Sequence, residues 1–161
     1  MNCNSRLAYY KAMYPYISTV YNSVHTGDIW FAKSKNLFYR LFSKEEWPLM
    51  GIVWKDTLSK RIFIIQAVFP RVKISLWMPQ RHEKFKRYCK WTEEFGNRVL
   101  MNALQYVDLY DCSFLRKRDC SFSPARFVNR VFVDTGVLLV SSLAVNSKNI
   151  FNSSLLVDVN V

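Results

Sequence analysis

Seven cations and four aromatic rings fall within residues 71–91: Arg71, Lys73, Arg81, Lys84, Lys86, Arg87 and Lys90, with Trp77, Phe85, Tyr88 and Trp91 among them. Over residues 71–90 Glu83 is the only acid. Cations neutralise phosphates and flat rings stack on bases, so the composition suits a nucleic-acid strand. On a helix Arg81, Lys84 and Arg87 lie three apart, and Lys86 and Lys90 lie four apart on a neighbouring face. Arg71 and Lys73 would extend that groove from a strand, and Trp77 or Trp91 would stack on bases. Arg116-Lys117-Arg118 offers a second phosphate contact or a short nuclear-targeting run. The competing reading is a solvated charged face, where Lys and Arg ordinarily sit. The scarcity of acids argues against it, because solubilising surfaces mix both signs.

Catalytic and metal chemistry find less support. His25, His82, Cys89, Cys112 and Cys120 are the candidate soft ligands, but no C-x2-C or H-x3-H pair occurs among them. Neither metal nor cofactor is expected. His82 and Cys89 are seven residues apart, about 10.5 Å along a helix, which is beyond hydrogen-bond reach. Glu93 and Glu94 are adjacent and point roughly 100° apart on a helix, so they do not pair on a metal. The four glycines (27, 51, 96 and 136) are isolated, so no glycine-rich phosphate loop forms. No catalytic residue is assigned, and the expectation is a protein that is not an enzyme and has no small-molecule substrate.

One stretch looks enzymatic. Val131-Phe132-Val133-Asp134-Thr135-Gly136-Val137 resembles the hydrophobic-Asp-Thr-Gly signature of aspartic proteases, in which two carboxylates share a proton. The resemblance covers those seven residues. The family's glycine-rich flap has no counterpart, since the 25 residues after Gly136 contain no glycine. The alternative is a strand–turn–strand with Gly136 in the turn.

The chain as a whole has 161 residues and a formal charge of +11, and half its residues are apolar. That is enough for one domain with a real core. A positive field of this size attracts phosphates, acidic protein surfaces or anionic lipid. All but one of the 23 Lys and Arg lie at or before Arg130, leaving a neutral, apolar C-terminal segment. No signal-peptide pattern or long apolar run is present, so integral membrane insertion is not expected. Four cysteines without an export signal point to a reducing, intracellular setting, cytoplasmic or nuclear.

These residues need elements to hold them. Residues 5–22 read as a helix interrupted by Pro15, and 29–42 as one or two strands. Ser43–Glu46 reads as a capping box. Residues 50–78 form a three-strand meander in which Val72, Ile74, Leu76 and Met78 alternate with Lys73, Ser75 and Trp77. Residues 80–109 read as one long helix with the stripe Phe85, Tyr88, Thr92, Phe95, Val99, Ala103 and Val107, kinked or divided at Gly96. Asp111–Arg118 and Asp119–Arg126 match at five of eight positions, as a hairpin would. Residues 127–145 read as strands. The order α-β-β-β-α resembles double-stranded-RNA-binding domains, and Lys84, Lys86, Arg87 and Lys90 echo their basic second-helix start. The loop histidine motif of that family is missing, and residues 25–49 would be an insertion.

The fold class is therefore α+β: a single domain over 1–161, with a mainly antiparallel sheet, one long helix packed on it and a β-rich C-terminal part. Its parts are 1–49 (helix and first strands), 50–110 (meander and basic helix) and 111–161 (hairpin and apolar strands). The function expected is non-enzymatic nucleic-acid binding, RNA preferred, as in a viral accessory protein that antagonises host RNA-directed or innate defence. The alternative is an adaptor for an acidic host or partner protein. It would use exposed aromatics (Tyr9, Tyr10, Tyr14, Tyr16, Trp47) and the apolar tail 137–161.

Overall fold

The meander read over residues 50–78 is the outer half of a six-stranded antiparallel sheet. A computed structural model describes residues 3–34, 45–68, 71–108, 123–140 and 145–161. The strands are β1 (Ile29–Ala32), β2 (Leu49–Asp56), β3 (Arg61–Val68), β4 (Arg71–Leu76), β5 (Glu83–Tyr88) and β6 (Leu156–Asp158), in spatial order β4-β3-β2-β1-β5-β6. The β2–β3–β4 meander is the one expected from the period of two, with Ile52 opposite Ile65 and Ile65 opposite Ile74. Asp56 closes the first hairpin by accepting the N–H groups of Leu58 and Ser59.

Both faces of the sheet are covered, which is why its central strands read as continuous apolar runs. On one face lie α2 (Glu93–Gln105), α3 (Pro124–Asp134) and α4 (Ser147–Phe151). They bury Phe95, Val99, Phe127, Val128, Val131, Phe132 and Ile150 against Ile29, Phe31, Met50, Ile52 and Ile65. On the other face α1 (Cys3–Ser23) packs Val20 and Val24 onto Trp30, Val53, Ile64, Trp77 and Phe85. Each fully buried side chain of this size contributes about 1.5–3 kcal/mol of transfer free energy. The molecule is one α+β domain.

Three elements differ from the sequence reading. Residues 80–109 are not one helix. Glu83–Tyr88 is a strand paired on both sides, by β1 and β6, and α2 begins only at Glu93. Thr92 caps α2 by accepting the Phe95 N–H at 3.1 Å, and Glu93 and Glu94 face the positive end of its dipole. Residues 124–134 form α3 where strands were expected. Ser123 is its N-cap and Pro124 opens its first turn. Its end is a Schellman motif: Gly136 takes φ +94°, while Val137 donates to Phe132 O and Gly136 to Val133 O. The Asp-Thr-Gly stretch is therefore a helix terminus, not a strand and turn. The Asp111–Arg118 repeat and Ser43 lie outside the described residues.

Gly96 neither kinks nor divides a helix. It lies in the first turn of α2, where a Cβ would come within 2.3 Å of the Thr26 carbonyl oxygen. Gly27 meets it from the other side, at φ +90° and with room for a Cβ only 2.8 Å from Gly96 Cα. Backbone-to-backbone contact thus sets how closely α2 approaches the start of β1. Gly96→Ala is expected to lower unfolding free energy by about 1–3 kcal/mol through overpacking. Urea titration should show a lower midpoint at unchanged slope.

Candidate functional site

The structure separates the cations that the sequence clusters. Arg71 and Lys73 lie on β4 at one edge of the sheet, whereas Lys84, Lys86 and Arg87 lie on β5, with β3, β2 and β1 between. Four strand spacings amount to about 19 Å. The faces differ as well. Tyr88 packs on Phe95 and Lys86 lies 4.2 Å over the Phe151 ring, so Lys84, Lys86 and Tyr88 face the α2–α4 layer. Glu83, Phe85 and Arg87 face α1, as do Arg71 and Lys73, which alternate with the core residue Val72. Arg81, Lys84 and Lys90 are exposed. Arg116, Lys117 and Arg118 lie outside the described residues. Because Lys84, Lys86 and Arg87 stand on a strand, the resemblance to the basic helix of double-stranded-RNA-binding domains does not carry over.

Two acids explain where several of these residues go. Asp28 is fully buried at the entry to β1, and Arg87 grips it with two parallel hydrogen bonds, Nε to Oδ1 and a terminal NH2 to Oδ2, both 2.8 Å. The same NH2 group donates to Ser23 O at 2.8 Å, tying β5 to the end of α1. Burial pushes the Asp28 carboxyl above its usual pKa, and the Arg87 hydrogen bonds oppose that rise. His25 stacks on Trp91 at 4.4 Å between ring centroids, and its buried Nδ1 has no hydrogen-bond partner. Burial, then the charge of Arg87, holds the imidazole below its ordinary pKa. Lys55 closes the cluster. Its Nζ donates to Val24 O at 3.3 Å and sits over the Tyr21 ring, and burial lowers its pKa.

Glu83 is the second hub. Its Oε1 accepts from Tyr16 OH at 2.9 Å and Gln80 N–H at 3.2 Å, and its Oε2 from Trp30 Nε1 at 2.7 Å and Trp77 Nε1 at 3.0 Å. Trp77 is thereby fixed in the α1-side core and is 6% exposed. Trp91 donates to Thr26 O at 3.0 Å while stacking on His25. Neither indole stands ready to stack on a base. The aromatic set named for an adaptor is divided too. Tyr14 and Tyr9 are exposed, Tyr16 binds Glu83, and Trp47 is buried in a stack with Phe151; Tyr10's side chain lies outside the described part. In the tail Leu139, Ile150 and Leu156 belong to the core.

Among the described residues the outer edge of β4 is left open. Ile74 and Leu76 are 40% and 48% exposed, with Met78 beyond them. They continue a row across the sheet, Trp54 opposite Phe63 and Phe63 opposite Leu76. The helical layer covers the Val72 end of the strand and stops short of the other. Beside this apolar face, on the α1 side, stand exposed Arg71 and Lys73. Arg71 meets Asp108 at 3.5 Å in a solvent-exposed pair, which contributes little. Among the described residues no strand lies beyond β4; beside the Arg71–Asp108 pair, a parallel bridge joins Val72 to Val107 there.

No family model and no curated protein matches the sequence. A solved structure does resemble the fold: metalloprotein yiiX from Escherichia coli O157:H7, DUF1105, with a TM-score of 0.63 at 18% identity. The match covers 86% of this chain and 97% of that one. At that identity the likeness is one of fold alone. Among the described residues no three His, Cys, Asp or Glu side chains come together to hold a metal ion. Asp134 is exposed at the end of α3, where it is engaged by Arg130 at 3.1 Å and by Tyr106 OH. None of the described helices is long and apolar enough to cross a membrane.

Proposed function

We propose that this chain is a non-enzymatic binding protein whose ligand is an acidic partner protein. The observation that carries the reading is the mixed edge of β4, where exposed Ile74, Leu76 and Met78 run alongside Arg71 and Lys73. Apolar and cationic groups side by side suit a protein surface; a phosphate track asks for cations in line and rings free to stack. The net charge of +11 supplies the long-range attraction to an acidic surface. The metal in the name of the yiiX protein is not carried over to this chain, since among the described residues no three His, Cys, Asp or Glu side chains gather.

Fluorescence anisotropy separates this reading from RNA binding. The probes are a labelled octapeptide alternating Glu and Val and a labelled 20-nucleotide single-stranded RNA, each at 50 and 200 mM salt. The expected result is a peptide complex that persists at 200 mM and RNA binding that does not. RNA retained at 200 mM, with log K falling against log salt at a slope of about −3.5 (five phosphates), would favour the nucleic-acid role. That outcome, or no peptide binding at either salt, overturns the proposal.

A further inference from the structure

Resting on that reading, we infer that the partner binds by adding a strand to the outer edge of β4. The incoming segment is extended and alternates apolar with acidic residues. The backbone geometry supplies the first half of the argument. Trp77 donates its N–H to Ile62 O of β3 at 2.8 Å. Backbone groups alternate in direction along a strand, so those of Ser75 and Lys73 also turn toward β3. The N–H and C=O of Ile74 and Leu76 then point away from the sheet, where among the described residues no strand receives them. At Val72 the edge is already occupied by Val107, so among the described residues the open stretch is Lys73–Leu76. An extended peptide satisfies such groups directly, and side chains alternating along it supply specificity.

The two faces of the edge supply the second half. Toward the α2–α3 layer Ile74 and Leu76 offer apolar surface, backed by Phe63 and Trp54. Toward α1 stand Lys73 and Arg71. A partner strand therefore places Val, Ile or Leu beside Ile74 and Leu76, and Asp or Glu beside Lys73; Arg71 lies past the Val107 bridge and is paired with Asp108. A second copy of this chain is the poorer occupant. With apolar faces matched, self-pairing of β4 would gather both copies' Arg71 and Lys73 on one side of the joined strands. Cations on an edge strand discourage that kind of self-association, and they favour an acidic segment over a neutral one.

The test uses the same Glu–Val octapeptide, with a Lys–Val octapeptide for comparison. Amide hydrogen exchange on the full chain should show new protection at Ile74 and Leu76 when the Glu–Val peptide is added. Ile74→Pro removes an outward N–H without taking a donor from β3, a position where edge strands tolerate proline. It should weaken the peptide at least tenfold while the thermal midpoint shows that the chain still folds. Should that variant fail to fold, Lys73→Glu at the exposed flank serves instead, and it should shift preference from the Glu–Val to the Lys–Val peptide. Peptide binding with no protection at Ile74 and Leu76, or binding unchanged in the folded variant, overturns the edge assignment and leaves the acidic-partner reading standing. Failure of the wild-type chain to bind the Glu–Val peptide overturns both.

Discussion

Arg87→Ala is expected to lower the unfolding free energy by about 3–5 kcal/mol, because it leaves a buried carboxylate without its cation. Asp28 has no solvent exposure, and both its oxygens are held by the guanidinium at 2.8 Å. One further contact, from the His25 N–H to Oδ2 at 2.8 Å, would remain. The variant also frees Ser23 O at the end of α1. The effect measures the cost of stranding Asp28 more than the net value of the pair, since both charges pay desolvation on folding. A double-mutant cycle separates the two. Asp28→Asn in the Arg87→Ala background removes the stranded charge, so the double variant should be less destabilised than the sum of the single changes. Chemical denaturation of the four proteins gives the coupling, and a loss below about 1 kcal/mol in Arg87→Ala would show that Asp28 is reached by water. Arg87→Lys should recover only part of the loss, because an ammonium cannot reproduce the planar two-point grip.

The same pair shows why half of the fold was legible and half was not. Over β2, β3 and β4 local pattern and structure agree, since alternation and β-branched residues are properties of each segment by itself. Glu83–Tyr88 also alternates, but Lys84, Lys86 and Arg87 look like the wet face of a helix until their partners are known. Those partners are far away in sequence: Asp28 for Arg87, and Asp158 for Lys86 at 3.2 Å. Once neutralised, a charged strand can lie between β1 and β6. In α3 the run of Val and Phe favours a strand by propensity, yet Phe127, Val128, Val131 and Phe132 repeat at helical spacing. Ser123-Pro124 at one end and Gly136 at the other were start and stop signals present in the sequence.

The edge proposed for binding was half visible. The sequence pointed to Arg71 and Lys73 and identified the strand that carries them. It also put Ile74, Leu76 and Met78 on a shared apolar face, which reads as buried. Burial depends on what covers a face. Here the helical layer reaches Val72 and no further, while α1 covers the opposite side and buries Trp77 instead. No local period encodes that offset between the two layers. Asp28 fell between the helix read over 5–22 and the strands read from 29, and Glu83 read only as the one acid in a basic run. A single acid among seven cations was nonetheless a signal that it has a structural task.

For that reason Glu83→Ala should be about as damaging as the loss of Arg87, at about 3–5 kcal/mol, and by a different route. Four donors converge on this carboxylate, and two are indole N–H groups whose rings are 5–6% exposed. Removing the acceptor leaves Trp30 and Trp77 with unpaired N–H groups in an apolar layer, each costing about 1–3 kcal/mol if water does not reach it. Tyr16 loses its bond as well, and with it one fastening of α1 to the sheet. The phenol of Tyr16, whose pKa burial and the neighbouring carboxylate hold well above the ordinary value, should return toward that value in the variant. Glu83→Gln keeps one acceptor oxygen but turns an NH2 group toward the remaining donors, so it should fall between wild type and Ala. Urea unfolding followed by tryptophan fluorescence reads the stability, and ultraviolet titration of the tyrosines reads the second effect. A Glu83→Ala protein as stable as Glu83→Gln would mean that the indoles find other acceptors, and that the Tyr16 bond adds little to the packing and the Arg87 contact that hold α1 to the sheet.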